Sequence, residues 1–234
     1  LAGQAATLNT HTRYLSEIIL DYAEKLLGTC PPHLGHAMFT CTGSEANDLA
    51  IRIAQHSSGG TGVIITDFAY HGATIATAQL SPAAVGAKGV PAHHRTVAAP
   101  DTFRDHGRTA RDFAKNVAAA IDSMRAQNIR PAAMLLDSAF SSDGIFFPDA
   151  EVMREAADHL KNAGGIIIAD EVQSGFGRLG QGMWGFANYG IEPDIVTLGK
   201  PIGAGHPMGA VLVRPQLVAS FGSNTGYFNT FGGN

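Results

Sequence analysis

Apolar positions change their spacing many times along this chain, and each change marks an element. Between Thr7 and Leu27 they fall at Leu8, Tyr14, Leu15, Ile18, Ile19, Tyr22, Ala23, Leu26 and Leu27, a helical stripe closed by Gly28. Pro31-Pro32 breaks the pattern, and Ala37 to Cys41 predicts a short strand. Thr42-Gly43-Ser44 turns the chain into a helix from Glu45 to Gln55, with Ala46, Leu49, Ala50, Ile53 and Ala54 on one side. Ser57 to Gly62 reads as a loop, Val63 to Thr66 as a strand and Ala69 to Gly72 as a turn. Ser81 to Pro100, rich in Gly, Pro and His, predicts irregular structure. Phe103 to Gln127 predicts a helix with an early interruption at Gly107, Ala132 to Asp137 a strand, and Ala150 to Asn162 a helix. Ile166 to Ala169 and Ile195 to Leu198 are short unbroken apolar runs, the pattern of strands buried on both faces of a parallel sheet. Gly209 to Val213 adds one more strand.

Strands alternating with helical segments, without internal repeat or low-complexity linker, predict an α/β fold with a mainly parallel central sheet flanked by helices. A chain of 234 residues that is 45% hydrophobic can bury one substantial core. Its formal net charge of −4 carries no basic footprint for nucleic acid or an anionic membrane. Two cysteines, Cys30 and Cys41, are too few for a disulfide framework and read as buried thiols in a reducing compartment. No signal peptide or membrane-spanning run is legible, so the expected location is cytoplasmic.

Candidate chemistry gathers where the two apolar runs end. Ligands of open α/β sheets collect outside the carboxyl ends of strands, and there one run meets Asp170 while the other delivers Lys200. An anion and an amine so placed are what a pyridoxal phosphate (PLP) enzyme needs: a carboxylate to keep the ring nitrogen protonated and a lysine to carry the cofactor as a Schiff base. Asp170 also reads as a helix N-cap or structural ion pair, and Lys200 as a surface lysine, although the glycines around Lys200 and the apolar strand before it argue against a plain surface role. Val172 is placed to pack on a ring face and Gln173 to reach a ring hydroxyl. At Gly43-Ser44 the unpaired N–H groups of a helix start, with the Ser44 hydroxyl, form an anion site; a simple N-cap accounts for the same residues. Tyr70 is placed to lie against a planar ring or to pack ordinarily, and His71 reads as a hydrogen-bonded structural histidine.

Two other motifs are set aside. Gly175-Phe-Gly-Arg-Leu-Gly180 spells a dinucleotide fingerprint, but Gln173-Ser174 separates it from the strand and a poor helix-forming sequence follows. The ten histidines are scattered, no pair has zinc-ligand spacing with Cys or Asp, and no metal is expected.

Taken together, Thr-Gly-Ser-Glu-Ala-Asn (42–47), Tyr-His-Gly (70–72), Ala-Asp-Glu-Val-Gln-Ser-Gly-Phe-Gly-Arg (169–178), Pro-Asp-Ile-Val-Thr-Leu-Gly-Lys (193–200) and Thr-Phe-Gly-Gly-Asn (230–234) resemble the class-III aminotransferases, PLP enzymes of fold type I, in family order. The resemblance implies that Lys200 forms the internal aldimine, Asp170 pairs with the ring nitrogen, Gly43 and Ser44 hold the phosphate, Tyr70 stacks on the ring and Gln173 reaches its oxygen. His71 and Val172 complete the implied cofactor site. Thr230 would bind the phosphate of a neighbouring subunit, which implies a homodimer with shared active sites. Residues 1–234 would be the PLP-binding large domain, with the family's N-terminal segment and C-terminal small domain outside it. The implied activity is transfer of an amino group from an amine or amino acid to a 2-oxo acid, with Lys200 moving the proton. Where the family commonly has Glu-Pro-Val-Gln-Gly, this chain has Asp137-Ser-Ala-Phe-Ser-Ser-Asp-Gly144, which suggests different substrate contacts. Gly199 to Pro207 and Tyr227 to Asn234 look most like the branch containing ethanolamine-phosphate phospho-lyases, so elimination of phosphate and ammonia from a phosphorylated amine is the alternative activity. A non-catalytic PLP-binding fragment is a third reading.

Overall fold

A computed structural model describes residues 1–234. Seven strands, β1 (His36–Thr40), β2 (Gly62–Thr66), β3 (Arg95–Val97), β4 (Pro131–Asp137), β5 (Ile166–Asp170), β6 (Ile195–Leu198) and β7 (Gly209–Val213), form one sheet in the order β1-β7-β6-β5-β4-β2-β3. The pairs β2–β3, β2–β4, β4–β5 and β5–β6 are parallel, whereas β7 runs antiparallel to both β1 and β6. Eight helices accompany it: α1 (Ala2–Thr7), α2 (Glu17–Leu27), α3 (Gly43–Ser58), α4 (Ile75–Gln79), α5 (Pro82–Val85), α6 (Arg108–Ala126), α7 (Ala150–Asn162) and α8 (Pro215–Asn224).

The sheet is covered on both faces, which is why its strands read as continuous apolar runs. Alternate residues serve opposite layers. Ala133, Leu135, Ile168, Ile195 and Val211 pack with Leu49 and Ile53 of α3. Met134, Leu136 and Ile167 join Phe113 and Val117 of α6 and Met153 of α7 on the other side. Ala169, Val196 and Leu212 continue that second side toward Leu26 of α2, Trp184 and Phe186. No helix is long and apolar enough to cross a membrane.

Most expected elements are present, and three expectations need correction. The single helix over Thr7 to Leu27 is instead α1 and α2 with an irregular link, because Thr12 bonds across the fold: its N–H donates to Thr230 O (3.2 Å) and its hydroxyl to Asn229 O (3.1 Å). Leu15, counted in the helical stripe, is 91% exposed. The irregular stretch Ser81 to Pro100 contains α5 and β3; a three-residue edge strand is too short to display an alternation and is created by its pairing with β2. The helix α8 follows β7 at Pro215, a residue favoured in a first helical turn, and was not expected from the pattern. The interruption at Gly107 is present, as a turn before α6 in which Asp105, His106 and Gly107 take left-handed backbone angles, φ 49°, 57° and 70°.

His94 extends the ladder at the β2 edge. Its Nδ1 accepts the Val63 N–H at 3.1 Å, and burial, reinforced by the neighbouring His93, lowers its pKa from the ordinary 6.5 to about 4. Between those values the unfolded chain takes up a proton that the folded chain refuses, so the stabilisation is complete above pH 6.5 and is lost as pH falls toward 4. Urea midpoints measured across this window should fall for the native protein by an amount equivalent to about 3 kcal/mol. A His94→Gln variant, which keeps an acceptor but cannot titrate, should show a flatter profile.

Candidate active site

The carboxyl ends of β4, β5 and β6 open into a cleft of about 200 Å³. Its lining includes every candidate from the sequence except Thr230: Gly43, Ser44, Tyr70, His71, Asp170, Val172, Gln173 and Lys200. Thr230 lines a separate cleft with Cys41, Glu45, Asp48, Arg52 and Thr74.

Asp170 ends β5 on the sheet face that packs against α3. It is only 5% exposed, and a carboxylate so placed requires donors. Its Oδ2 accepts from Asn47 Nδ2 at 2.8 Å and from His71 Nδ1 at 2.7 Å, while Oδ1 accepts the Val172 N–H at 3.1 Å. His71 therefore presents its Nδ1–H to the acid, and its Nε2 is buried with no hydrogen-bond partner. The turn carrying Tyr70-His71-Gly72 is held from both sides, since His71 N–H donates to Ser81 Oγ (2.8 Å) and His71 O accepts from Asn47 Nδ2 (2.8 Å). Gly72, at φ 141°, has no room for a side chain: a Cβ there would lie 2.6 Å from Ser44 Oγ. Tyr70 itself is half exposed at the cleft.

At the helix start the N-cap is Thr42, whose hydroxyl accepts the Glu45 N–H at 3.1 Å. The next two N–H groups, on Gly43 and Ser44, can have no intrahelical acceptor. Ser44 Oγ accepts from Ala73 N–H at 3.1 Å, which leaves its hydroxyl hydrogen free to donate. The N-cap that the sequence offered for this turn is thus Thr42, and the Ser44 hydroxyl is not used for capping. Gly43 also lies against Val172, and a Cβ on it would come within 2.9 Å of Val172 Cγ2.

Lys200 follows β6 at φ 43°, an uncommon conformation for a residue with a side chain and a local backbone strain. Its Nζ donates to Gln173 Oε1 at 2.7 Å, so amine and amide meet at the cleft. The turn Lys200–Gly203 is tied to α2 by Tyr22 Oη, which donates to Ile202 O at 3.0 Å. The segment 175–180 forms turns and no helix, in keeping with setting aside the dinucleotide fingerprint.

Several residues at or under the cleft were not singled out in the sequence. Asn47 is one; its signal was a polar residue three positions after Ser44, on a helix whose neighbours Ala46, Leu49 and Ala50 are buried. Asp137, marked in the sequence only as the start of a departure from the family pattern, pairs in register with Asp170 across β4–β5 and lines the cleft with Ser141 and Ser142. Burial, and then the Asp170 charge, push its pKa above the usual carboxylate range, offset by Ser141 Oγ–H and the N–H groups of Ala139 and Ser141. Asp143 ties this loop to β2, accepting from Thr66 Oγ1 (2.7 Å) and the Phe68 N–H (3.0 Å). Glu171, next to Asp170, points the opposite way. It is fully buried and accepts from Ser138 Oγ (2.5 Å), Gly185 N–H (2.7 Å) and Phe186 N–H (2.9 Å), with its pKa raised by burial.

Comparisons with known proteins follow the same lines. The family model described as aminotransferase class-III matches residues 2–234. Ethanolamine-phosphate phospho-lyase homolog 1 of Caenorhabditis elegans is 34% identical over 253 residues, covering 100% of this chain and 54% of that protein. Alanine–glyoxylate aminotransferase 2-like of Drosophila melanogaster is 35% identical over 245 residues, covering 100% of this chain and 50% of that protein. Among solved structures, a phospholyase from Arthrobacter in complex with phosphoethanolamine matches with a TM-score of 0.92 and 40% identity, covering 100% of this chain and 56% of that one. A transaminase with L-ala matches with a TM-score of 0.84 and 26% identity, covering 97% and 59%. The chain spans about half the length of the curated relatives it matches.

The Glu171 cluster generates a stability test. Glu171→Ala leaves three buried donors without their acceptor, and urea unfolding should register a loss of about 3 kcal/mol or more. Glu171→Gln, which keeps one acceptor oxygen, should lose less.

Proposed function

The chain belongs to the class-III aminotransferases, a family of PLP-dependent enzymes, and we propose that it binds PLP in the cleft between Asp170 and Lys200 and eliminates phosphate and ammonia from a phosphorylated primary amine. The observation that carries the elimination reading is the backbone match to the Arthrobacter phospholyase, closer than the match to the transaminases.

The donor set supports the cofactor. A buried carboxylate suits a pyridinium nitrogen, a helix start with two uncommitted N–H groups and a free hydroxyl hydrogen suits a phosphate, and an amine stands at the cleft opposite the acid. Gly43 and Gly72 keep that end open, since side chains there would collide with Val172 and Ser44. Asp170 would hold the ring nitrogen, Gly43 and Ser44 the phosphate, and Val172 and Tyr70 the ring faces; His71 would act from behind Asp170, and Gln173 would reach the ring oxygen. When bound, PLP holds the substrate amine and accepts electrons from the adjoining carbon.

Lys200 then acts as a base, its Nζ taking the proton from the carbon that bears the amine. Phosphate leaves from the next carbon with its bonding electron pair. Water consumed afterwards releases ammonia and a carbonyl compound, and no oxidant or reductant is required. Asp170 would stand at the ring nitrogen throughout, with two donors fixing its Oδ2. Thr230, away from this cleft, is assigned to the phosphate in the partner's site of a homodimer.

Transamination is the second reading, favoured by the family model and the aminotransferase relative. In it Lys200 returns the proton to a different carbon and a 2-oxo acid takes the amino group.

Three measurements test these assignments. PLP addition, borohydride reduction and peptide mapping should label Lys200, and Lys200→Ala should lose both the label and about 100-fold or more of the rate; a labelled peptide elsewhere would remove Lys200 from its role. Asp170→Asn should keep PLP bound while losing most of the rate. With phosphoethanolamine, equal release of phosphate and ammonia without any 2-oxo acid supports elimination. Amine loss that requires a 2-oxo acid and releases no phosphate would replace it with transamination.

A further inference from the structure

A buried chain of hydrogen bonds runs from Thr197 through Asn47 to Asp170 and His71, and two of its members, Asn47 and Thr197, lie outside the cofactor assignments. Thr197 sits on β6 directly beside Asp170 in the β5–β6 register and is wholly buried. Its hydroxyl donates to Asn47 Oδ1 at 2.6 Å. Both remaining capacities of the Asn47 amide are used by its Nδ2, which donates to Asp170 Oδ2 and to His71 O, each at 2.8 Å. Asn47 is 1% exposed.

The orientation of this amide follows from its three partners. Reversed, its oxygen would face the Asp170 carboxylate and the His71 carbonyl, two acceptors that offer it no hydrogen. Thr197 supplies the donor that the buried Oδ1 needs, and a donor there also polarises the amide and strengthens the N–H groups on its far side. Asp170 Oδ2 is thereby fully engaged, while Oδ1 accepts only the Val172 N–H and keeps spare acceptor capacity.

Position along α3 adds a second consequence. Asn47 lies about one helical turn after Gly43 and Ser44, and a helix is stiff over that distance. The group that holds Asp170 and the groups assigned to the phosphate therefore ride on one rigid element, which sets the span between them. Resting on the cofactor reading above, we infer that Thr197 and Asn47 form a positioning pair that sets the orientation of Asp170 and its distance from the phosphate-binding helix start. Neither touches the reacting atoms; Thr197 acts through Asn47, and Asn47 through Asp170.

Thr197→Val removes the hydroxyl at nearly constant shape, and Thr197→Ser restores it. In fluorescence titrations Thr197→Val should bind PLP about tenfold more weakly than the native protein, and Thr197→Ser should return close to native affinity. In cofactor-free protein the His71 Nδ1–H resonance should shift in the valine variant and hold its native position in the serine variant. Native affinity in Thr197→Val, or weakened binding with an unmoved His71 signal and no rescue by serine, would overturn the pair. Should the valine variant not fold, native protein still decides: the two Asn47 side-chain amide protons should be separate and slow to exchange, and rapid exchange would overturn it. Native protein that takes up no PLP would instead defeat the cofactor reading, while the His71 and Asn47 signals would still test the pair.

Discussion

A carboxylate taken out of water must be supplied with donors, and the burial of Asp170 is the constraint on which the cleft depends. The chain meets it from three separate directions: His71 from the β2–α4 turn, Asn47 from α3 and the Val172 N–H from the segment after β5. The two side-chain donors are themselves anchored, His71 through Ser81 and Asn47 through Thr197. Placing one acid correctly therefore fixes the relative positions of a helix, a turn and two strands. The residues assigned to PLP sit on those same elements, so organising Asp170 and organising the site are one physical problem.

The alternation of a β-strand explains how two consecutive acids take unrelated duties. Asp170 faces α3 and the cleft. Glu171 faces the other layer, where it gathers Ser138 and the N–H groups of Gly185 and Phe186 and so fastens the turn after the 175–180 glycines to the end of β4. Removing that fastening would loosen the wall that carries Val172 and Gln173, even though Glu171 never reaches the cleft.

The loop after β4 departs from the family's common pattern. Asp137 lies on the same face as Asp170 and in register with it, so two carboxylates share one end of the sheet. Their repulsion is eased because Asp137 is wrapped by its own loop, through Ala139 and Ser141, and because Asp143 carries that loop across to Thr66 and Phe68. The result puts Ser141 and Ser142 in the lining of the cleft that Lys200 also lines. A small, hydroxyl-bearing wall stands in place of the glutamate, proline and glutamine of the common pattern.

Unbroken apolar runs and helical stripes were enough to locate β2, β4 to β7, α3, α6 and α7, because burial on both faces of a sheet leaves a strong local imprint. Asp170 and Lys200 were legible for the same reason: a strand end is a fixed address in an α/β sheet, and chemistry placed there stands out. What lay beyond reach was everything created by contact between distant segments. The break between α1 and α2 depends on Thr12 meeting Asn229 and Thr230, and β3 exists because β2 offers it an edge. The reversed direction of β7 left no mark on its composition, since parallel and antiparallel neighbours bury the same side chains. Asn47 and Thr197 were visible as letters inside their motifs, but their roles arise only when α3 is laid over β5 and β6. Local sequence determined which segments would be buried and what chemistry each would carry; tertiary packing decided which polar groups would meet, because a hydrogen bond depends on positions in space that residue spacing along the chain does not specify.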